Sequence, residues 1–156
     1  MNTYLLIKTL HILSSVALFG IGFGSAYYLF FINRTRNVAA IAEVARLVVR
    51  ADFWFTTPTI VIQPLSGYAL ATMSGYSLTD TWLLSSYALF AFAGICWLPV
   101  VWMQIKMADM AKIAAEKNAE LPQHYWRYAR IWERLGILAF PSILIIYGLM
   151  VFKPNL

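Results

Sequence analysis

Residues 9–32 read TLHILSSVALFGIGFGSAYYLFFI, and this stretch decides the fold. It holds no Asp, Glu, Lys or Arg, and its apolar residues do not alternate with period two. A chain inside lipid must satisfy its backbone N–H and C=O groups internally, so only a helix or a closed barrel can cross. About 20 mainly apolar residues make one helical crossing. Length and missing alternation together read as a membrane helix. The stretch is too long for a cleaved leader and lacks a basic lead-in and a small-residue cleavage site. Residues 53–79, 81–105 and 135–152 are equally free of charge. The first two exceed the required length. The last is near the lower limit but continues the helical-looking segment before it. The expectation is an all-α, integral membrane four-helix bundle in one domain, 1–156, with spans at about 5–32, 53–76, 81–105 and 133–152.

Composition points the same way. Hydrophobic residues make up 61% of the 156 and charged residues 12%. A soluble domain has about half and about a quarter, so this chain has too few charges to clothe a water-facing surface. The net charge of +5 lies between the apolar blocks, where it suits loops beside anionic lipid and not a nucleic-acid groove. The single cysteine, Cys96, excludes an intrachain disulfide and any paired-cysteine metal motif.

The loops fix an expected orientation. Arg34, Arg36, Arg46 and Arg50 follow the first run, and Lys106, Lys112, Lys117, Arg127, Arg130 and Arg134 follow the third. The other side has only Lys8 and Lys153. Excess Lys and Arg mark the cytoplasmic side, so both termini are expected outside a bacterial inner membrane. Residues 106–118 mix charged and apolar positions at helical spacing and extend the third helix beyond the membrane. Pro122 suits the first turn of the helix that leads back. Residues 38–50 read as an interfacial helix.

His11 carries the sharpest chemical signal. It lies roughly 10 Å along its helix from Tyr4. An ionisable group at such depth usually faces the bundle interior. Ser14, Ser15, Leu18, Gly22 and Ser25 share its face by spacing, a small and mildly polar stripe open to a partner helix or a flat ligand. An intramembrane imidazole suits haem, a metal ion or proton handling, and equally a plain hydrogen bond to a carbonyl or hydroxyl. Lys8, one turn earlier, and Lys153 lie near its level, where they can meet haem propionates or only reach the headgroups. The other histidine, His124, falls in the cytoplasmic connection. Met73 and Met150 are available thioethers for haem iron or Cu(I), although methionine in an apolar helix is usually filler. Pro58, Pro64, Pro99 and Pro141 are expected to kink or loosen their helices. Gly20 and Gly24 form a Gly-x-x-x-Gly pair, a device for close helix packing. Arg50 with Asp52, and Glu133 with Arg130 or Arg134, are expected ion pairs. No nucleophile elbow, phosphate loop or carboxylate pair appears, and no residue is assigned a catalytic role.

Nearly the whole length resembles a bacterial family of four-helix membrane proteins of unknown function. The resemblance rests on Tyr4-Leu-Leu-Ile-Lys8-Thr-Leu-His11, on Ala45-Arg46-Leu-Val-Val with Pro58 to Gly67, on Cys96-Trp97-Leu-Pro99-Val-Val-Trp102 and on Val151-Phe-Lys153-Pro154. More remotely the chain is similar to the HemJ-type protoporphyrinogen oxidases, small membrane bundles that bind b-type haem. Their Lys-x-x-His, their Arg followed by a Pro with a Gly nine residues on, and their closing Lys-Pro are matched by Lys8 and His11, by Arg50, Pro58 and Gly67, and by Lys153-Pro154. Their Tyr-His pair after the third helix is missing here, and their Asn-Glu-Val-Pro gives way to Trp132-Glu-Arg-Leu135. This resemblance implies haem b at His11 more than it implies the oxidase activity.

The expected function is thus a redox role in the membrane with haem b ligated by His11 and helped by Lys8 and Lys153. The alternatives are a HemJ-like oxidase and a non-enzymatic subunit, chaperone or metal-handling protein. The expected partners are the lipid bilayer and a second copy or a membrane redox protein, with no nucleic acid.

Overall fold

A computed structural model describes residues 2–154. Its elements are α1 (Thr3–Thr35), α2 (Val38–Ala51), a π-helical segment (Asp52–Thr56), α3 (Thr57–Met73), α4 (Thr81–Glu116) and α5 (Gln123–Phe152). No strand occurs among the described residues.

Local chemistry sets most boundaries. The Asn2 side chain accepts from Tyr4 N–H at 3.1 Å and starts α1. The Asn37 side chain does the same for Ala40 at 3.1 Å and starts α2. A side-chain oxygen at this position satisfies an N–H that has no partner within the helix. Gly75 ends α3 with φ of +75°, a left-handed geometry that glycine adopts without a Cβ penalty. Tyr76 N–H then reaches the Ala71 carbonyl at 3.0 Å. Asn118 closes α4 in the same way, with Ala119 N–H on the Ala114 carbonyl at 2.9 Å. Pro122 sits just before α5, as its N-cap.

The helix α1, the helix α4 and the helix α5 are each long and apolar enough to cross a membrane. Only 6% of the most apolar window of α1, and of α5, is buried inside the protein. Leu13, Val16, Ile95, Ile137 and Val151 all point outward. Outward apolar faces of this extent suit lipid and not water. The stretch 53–76 consists of the π-helical segment and α3, which alone has 17 residues. Backbone angles stay right-handed through Asp52 and Thr57, so α2 runs into α3 without a break in the helix. The register slips by one residue there, because Thr57 N–H bonds to Asp52 C=O, five residues back. Pro58 follows at once and has no N–H to give. The slip places the missing donor at a discontinuity that already exists, and Thr57 Oγ1 adds a bond to the Asp52 carbonyl at 2.9 Å.

The best-packed core lies at the end where the basic loops gather. Ile41, Ala45 and Val48 of α2 are buried with Met103, Met107 and Ala111 of α4 and with Tyr125, Ala129 and Trp132 of α5. The helix expected over residues 38–50 is thus packed on α4 and is part of the core. Tyr125 O–H donates to Asn33 Oδ1 at 2.6 Å, joining α5 to the end of α1. Arg36 lies 3.9 Å over the Trp126 ring. The expected ion pairs are replaced. Glu133 faces Arg34 at 3.9 Å, and Asp52 takes the hydroxyl of Thr56 at 2.8 Å. A smaller cluster of Ala71, Trp82 and Leu83 closes the other end.

Candidate functional site

The packing of α1 against α3 brings His11 to Ser66. His11 Nδ1 lies 2.8 Å from Ser66 Oγ. A hydroxyl has one proton, and Ser66 directs it to the Ile62 carbonyl in the preceding turn, with Gln63 C=O as a weaker partner at 3.3 Å. With that proton on Ile62, Ser66 accepts from His11, an arrangement that puts the imidazole proton on Nδ1 and leaves a lone pair on Nε2. The His11 backbone is held as well. Its carbonyl accepts from Gln63 Nε2 at 2.8 Å and from Ser14 Oγ at 3.0 Å, and Gln63 Nε2 also donates to Ser14 Oγ at 2.6 Å. Ser66 and Gln63 thus grip one turn of α1 through one imidazole, one carbonyl and one hydroxyl. Polar side chains in such apolar helices need this mutual satisfaction.

The ring borders a cavity of about 40 Å³ that is also lined by Gly67, Ser86, Tyr87, Phe90 and Met150. Four helices contribute: α1 gives His11, α3 gives Gly67, α4 gives Tyr87 and α5 gives Met150. A Cβ on Gly67 would stand 3.4 Å from His11 Cε1, so the imidazole packs on α3 at this glycine and a side chain larger than a methyl would press on it. Tyr87 O–H donates to the Pro64 carbonyl at 3.0 Å and holds the opposite wall. The space admits water or a small ion, since about 10–15 Å³ of such space holds one water. The chemistry of His11 fits a metal ligand, because a second hydrogen bond normally fixes the tautomer of a ligating histidine. The space beside it does not fit a porphyrin.

The other expected site residues scatter. Lys8 is exposed, with its ammonium 5.8 Å from the Tyr4 ring. Lys153 donates to Tyr76 O–H at 2.7 Å and lies over the Tyr76 and Trp82 rings. Neither lines the His11 cavity. His124 is exposed in the first turn of α5, and Met73 is exposed at the end of α3. Gly20, Gly22 and Gly24 have open space where a Cβ would stand, so no helix of this chain packs closely on them. Among the described residues no three His, Cys, Asp or Glu side chains gather as a metal site. Sequence reasoning missed Ser66 as the partner of His11. Its only signal was a serine at the spacing that puts it on one face with Gln63.

The arrangement is that of a helical membrane protein with a polar centre buried among its apolar helices. Residues 5–154 match the family described as Predicted integral membrane protein (DUF2269), and the chain belongs to that family. None of the curated proteins and none of the solved structures matches it significantly.

Proposed function

We propose that this chain is a four-pass protein of the bacterial inner membrane that holds a single soft metal ion, Cu(I), between His11 Nε2 and Met150. The reading is carried by the 2.8 Å contact of His11 Nδ1 with Ser66 Oγ, which leaves Nε2 available as a ligand, at a cavity that His11 and Met150 both line. Imidazole and thioether are the ligand types that suit Cu(I). The cavity is ion-sized, and four helices converge on it. Of the functions expected from the sequence, this is the metal-handling alternative.

The second reading is b-type haem ligated by His11 in a redox role, favoured by the spacing of Lys8 and His11. It shares the ligand but requires Phe90 and Met150 to move aside, which is why it ranks lower. A protoporphyrinogen oxidase activity rests on that haem and on the distant resemblance alone. The two metal readings separate in one preparation. The full chain is purified in mild detergent from cells supplied with both copper and haem. Metal content is measured by mass spectrometry and absorption in the oxidised and dithionite-reduced states. The copper reading expects stoichiometric copper, no Soret band, and loss of copper in both His11→Ala and Met150→Ala. A Soret band with sharp reduced bands that vanish in His11→Ala replaces it with the haem reading. A protein at full yield with neither metal leaves His11 as a packing element.

A further inference from the structure

A second cavity, which adjoins the one beside His11 at Phe90, lies among α1, α4 and α5 toward the basic end. It measures about 510 Å³. That is within the usual range for a small-molecule site, about 300–1,000 Å³. Its α1–α5 wall is an aromatic seam, in which the Phe140 ring centroid lies 5.0 Å from Phe19 and 5.0 Å from Phe23. The other end is polar. Asp52, Thr56, Gln104 and Trp132 all line the cavity, and each is more than nine-tenths buried.

Two of these side chains lack partners. Trp132 Nε1–H is buried with no acceptor, and Gln104 Oε1 is buried with no donor. The amide orientation of Gln104 is consistent with its setting, because its NH₂ group faces the Asp52 carboxylate and the oxygen turns away. A buried polar atom without a partner is costly, and both belong to residues that border the cavity, so a ligand that draws these side chains toward it relieves that cost. The pair asks for one group that both donates and accepts. A hydroxyl does both. An ammonium has no lone pair for Trp132, and a carboxylate or phosphate has no proton for Gln104 and meets the charge of Asp52.

We propose that this cavity binds a neutral, lipid-soluble ring bearing a hydroxyl, of the alkyl-hydroquinone class. The hydroxyl donates to Gln104 Oε1 and accepts from Trp132 Nε1–H. The ring lies along Phe140, Phe19 and Phe23, where offset or edge contacts between aromatic rings are favourable. The apolar tail leaves between α1 and α5, whose outer faces are the apolar ones.

The test uses the full chain in detergent and follows tryptophan fluorescence during anaerobic titration with decylubiquinol. Decanol serves as the hydroxyl-only control. Saturable quenching is expected with the quinol, with at least tenfold weaker binding of decanol. Trp132→Phe keeps a buried ring but removes the donor, and is expected to weaken the quinol about tenfold, the loss that goes with one hydrogen bond. Because Trp132 also reports, the variant is followed by competition against a spin-labelled quinone. Gln104→Met, a near-isosteric swap, is expected to do the same. His11→Ala is expected to leave the affinity unchanged, which separates this site from the metal site. The proposal is overturned by absence of saturation, by decanol binding as tightly as the quinol, or by wild-type affinity in both cavity variants.

Discussion

A histidine in lipid has to be accounted for atom by atom, and His11 can be. Nδ1 lies 2.8 Å from Ser66 Oγ, and a serine whose own proton goes to Ile62 accepts from it. Removing that acceptor with Ser66→Ala releases the tautomer and the ring orientation. Loss of such an outer partner typically costs 10–100-fold in metal affinity, so we expect a drop of about that size in a competition titration with a Cu(I) chelator. The helices are expected to remain folded, because the lost bond is worth about 1 kcal/mol. An unchanged affinity would remove Ser66 from the site. Gly67 gives a second handle, since even a methyl there meets the ring at 3.4 Å. Gly67→Val forces the imidazole off α3, and its copper content is expected to fall toward that of His11→Ala. His11 was legible in the sequence because an ionisable residue stands out within an apolar run. Ser66 was not, since a serine in a membrane helix ordinarily bonds the carbonyl one turn back and gives no sign of a partner 55 residues away. The cluster of Gln63, Ser14 and His11 is hidden for the same reason: nothing in a single sequence pairs one helix face with another.

At the level of elements, absence of charge marked where the apolar helices run, and Pro122 stands at the start of α5, as its N-cap and not in its first turn. What stayed hidden was the use made of each helix. The apolar positions Ile41, Ala45 and Val48 of α2 fit an interfacial helix and a packed one equally well, and only contact with Met103, Met107 and Ala111 decides. The register slip at Asp52–Thr56 was hidden too, because Pro58 predicts a disturbance without saying which kind. The join between α1 and α5 makes a sharper prediction. Tyr125 is fully buried, and its hydroxyl serves Asn33 Oδ1, while Asn33 Nδ2 already lacks a partner. Tyr125→Phe leaves both polar atoms of that amide unsatisfied, and a stranded buried group costs about 1–3 kcal/mol. Adding Asn33→Leu removes the stranded group, so the double variant is expected to recover much of the loss. A double-mutant cycle on unfolding in an SDS titration measures the coupling, and strict additivity of the single effects would show that the two residues do not act together.

For the whole molecule, the distribution of packing and of charge bears on how the chain sits in a membrane. The dense core, the α2 helix and the ten Arg and Lys side chains that follow the first and third apolar runs share one end. The apolar midsections of α1 and α5 bury little against their own protein and leave that surface to lipid. With excess positive charge retained in the cytoplasm, we expect the dense end to lie inside. The open question is then α3, whose 17 residues are shorter than the usual crossing of about 20. The π-helical segment supplies the difference: Phe53, Trp54 and Phe55 are exposed and apolar or aromatic, and they lengthen the lipid-facing surface by more than a turn. The polar grip of Ser66 and Gln63 on α1 also holds α3 alongside a helix that crosses. We therefore expect the turn that carries Ser77 to lie outside and Asn118 to lie inside. In a Cys96→Ala background, Ser77→Cys is expected to react with a membrane-impermeant maleimide on spheroplasts, and Asn118→Cys only after lysis. Were α3 to stop short of crossing, the turn after it would stay on the side of α2 and Ser77→Cys would be shielded until lysis, whereas α4 would lead out, Asn118→Cys would react on spheroplasts, and the chain would cross three times.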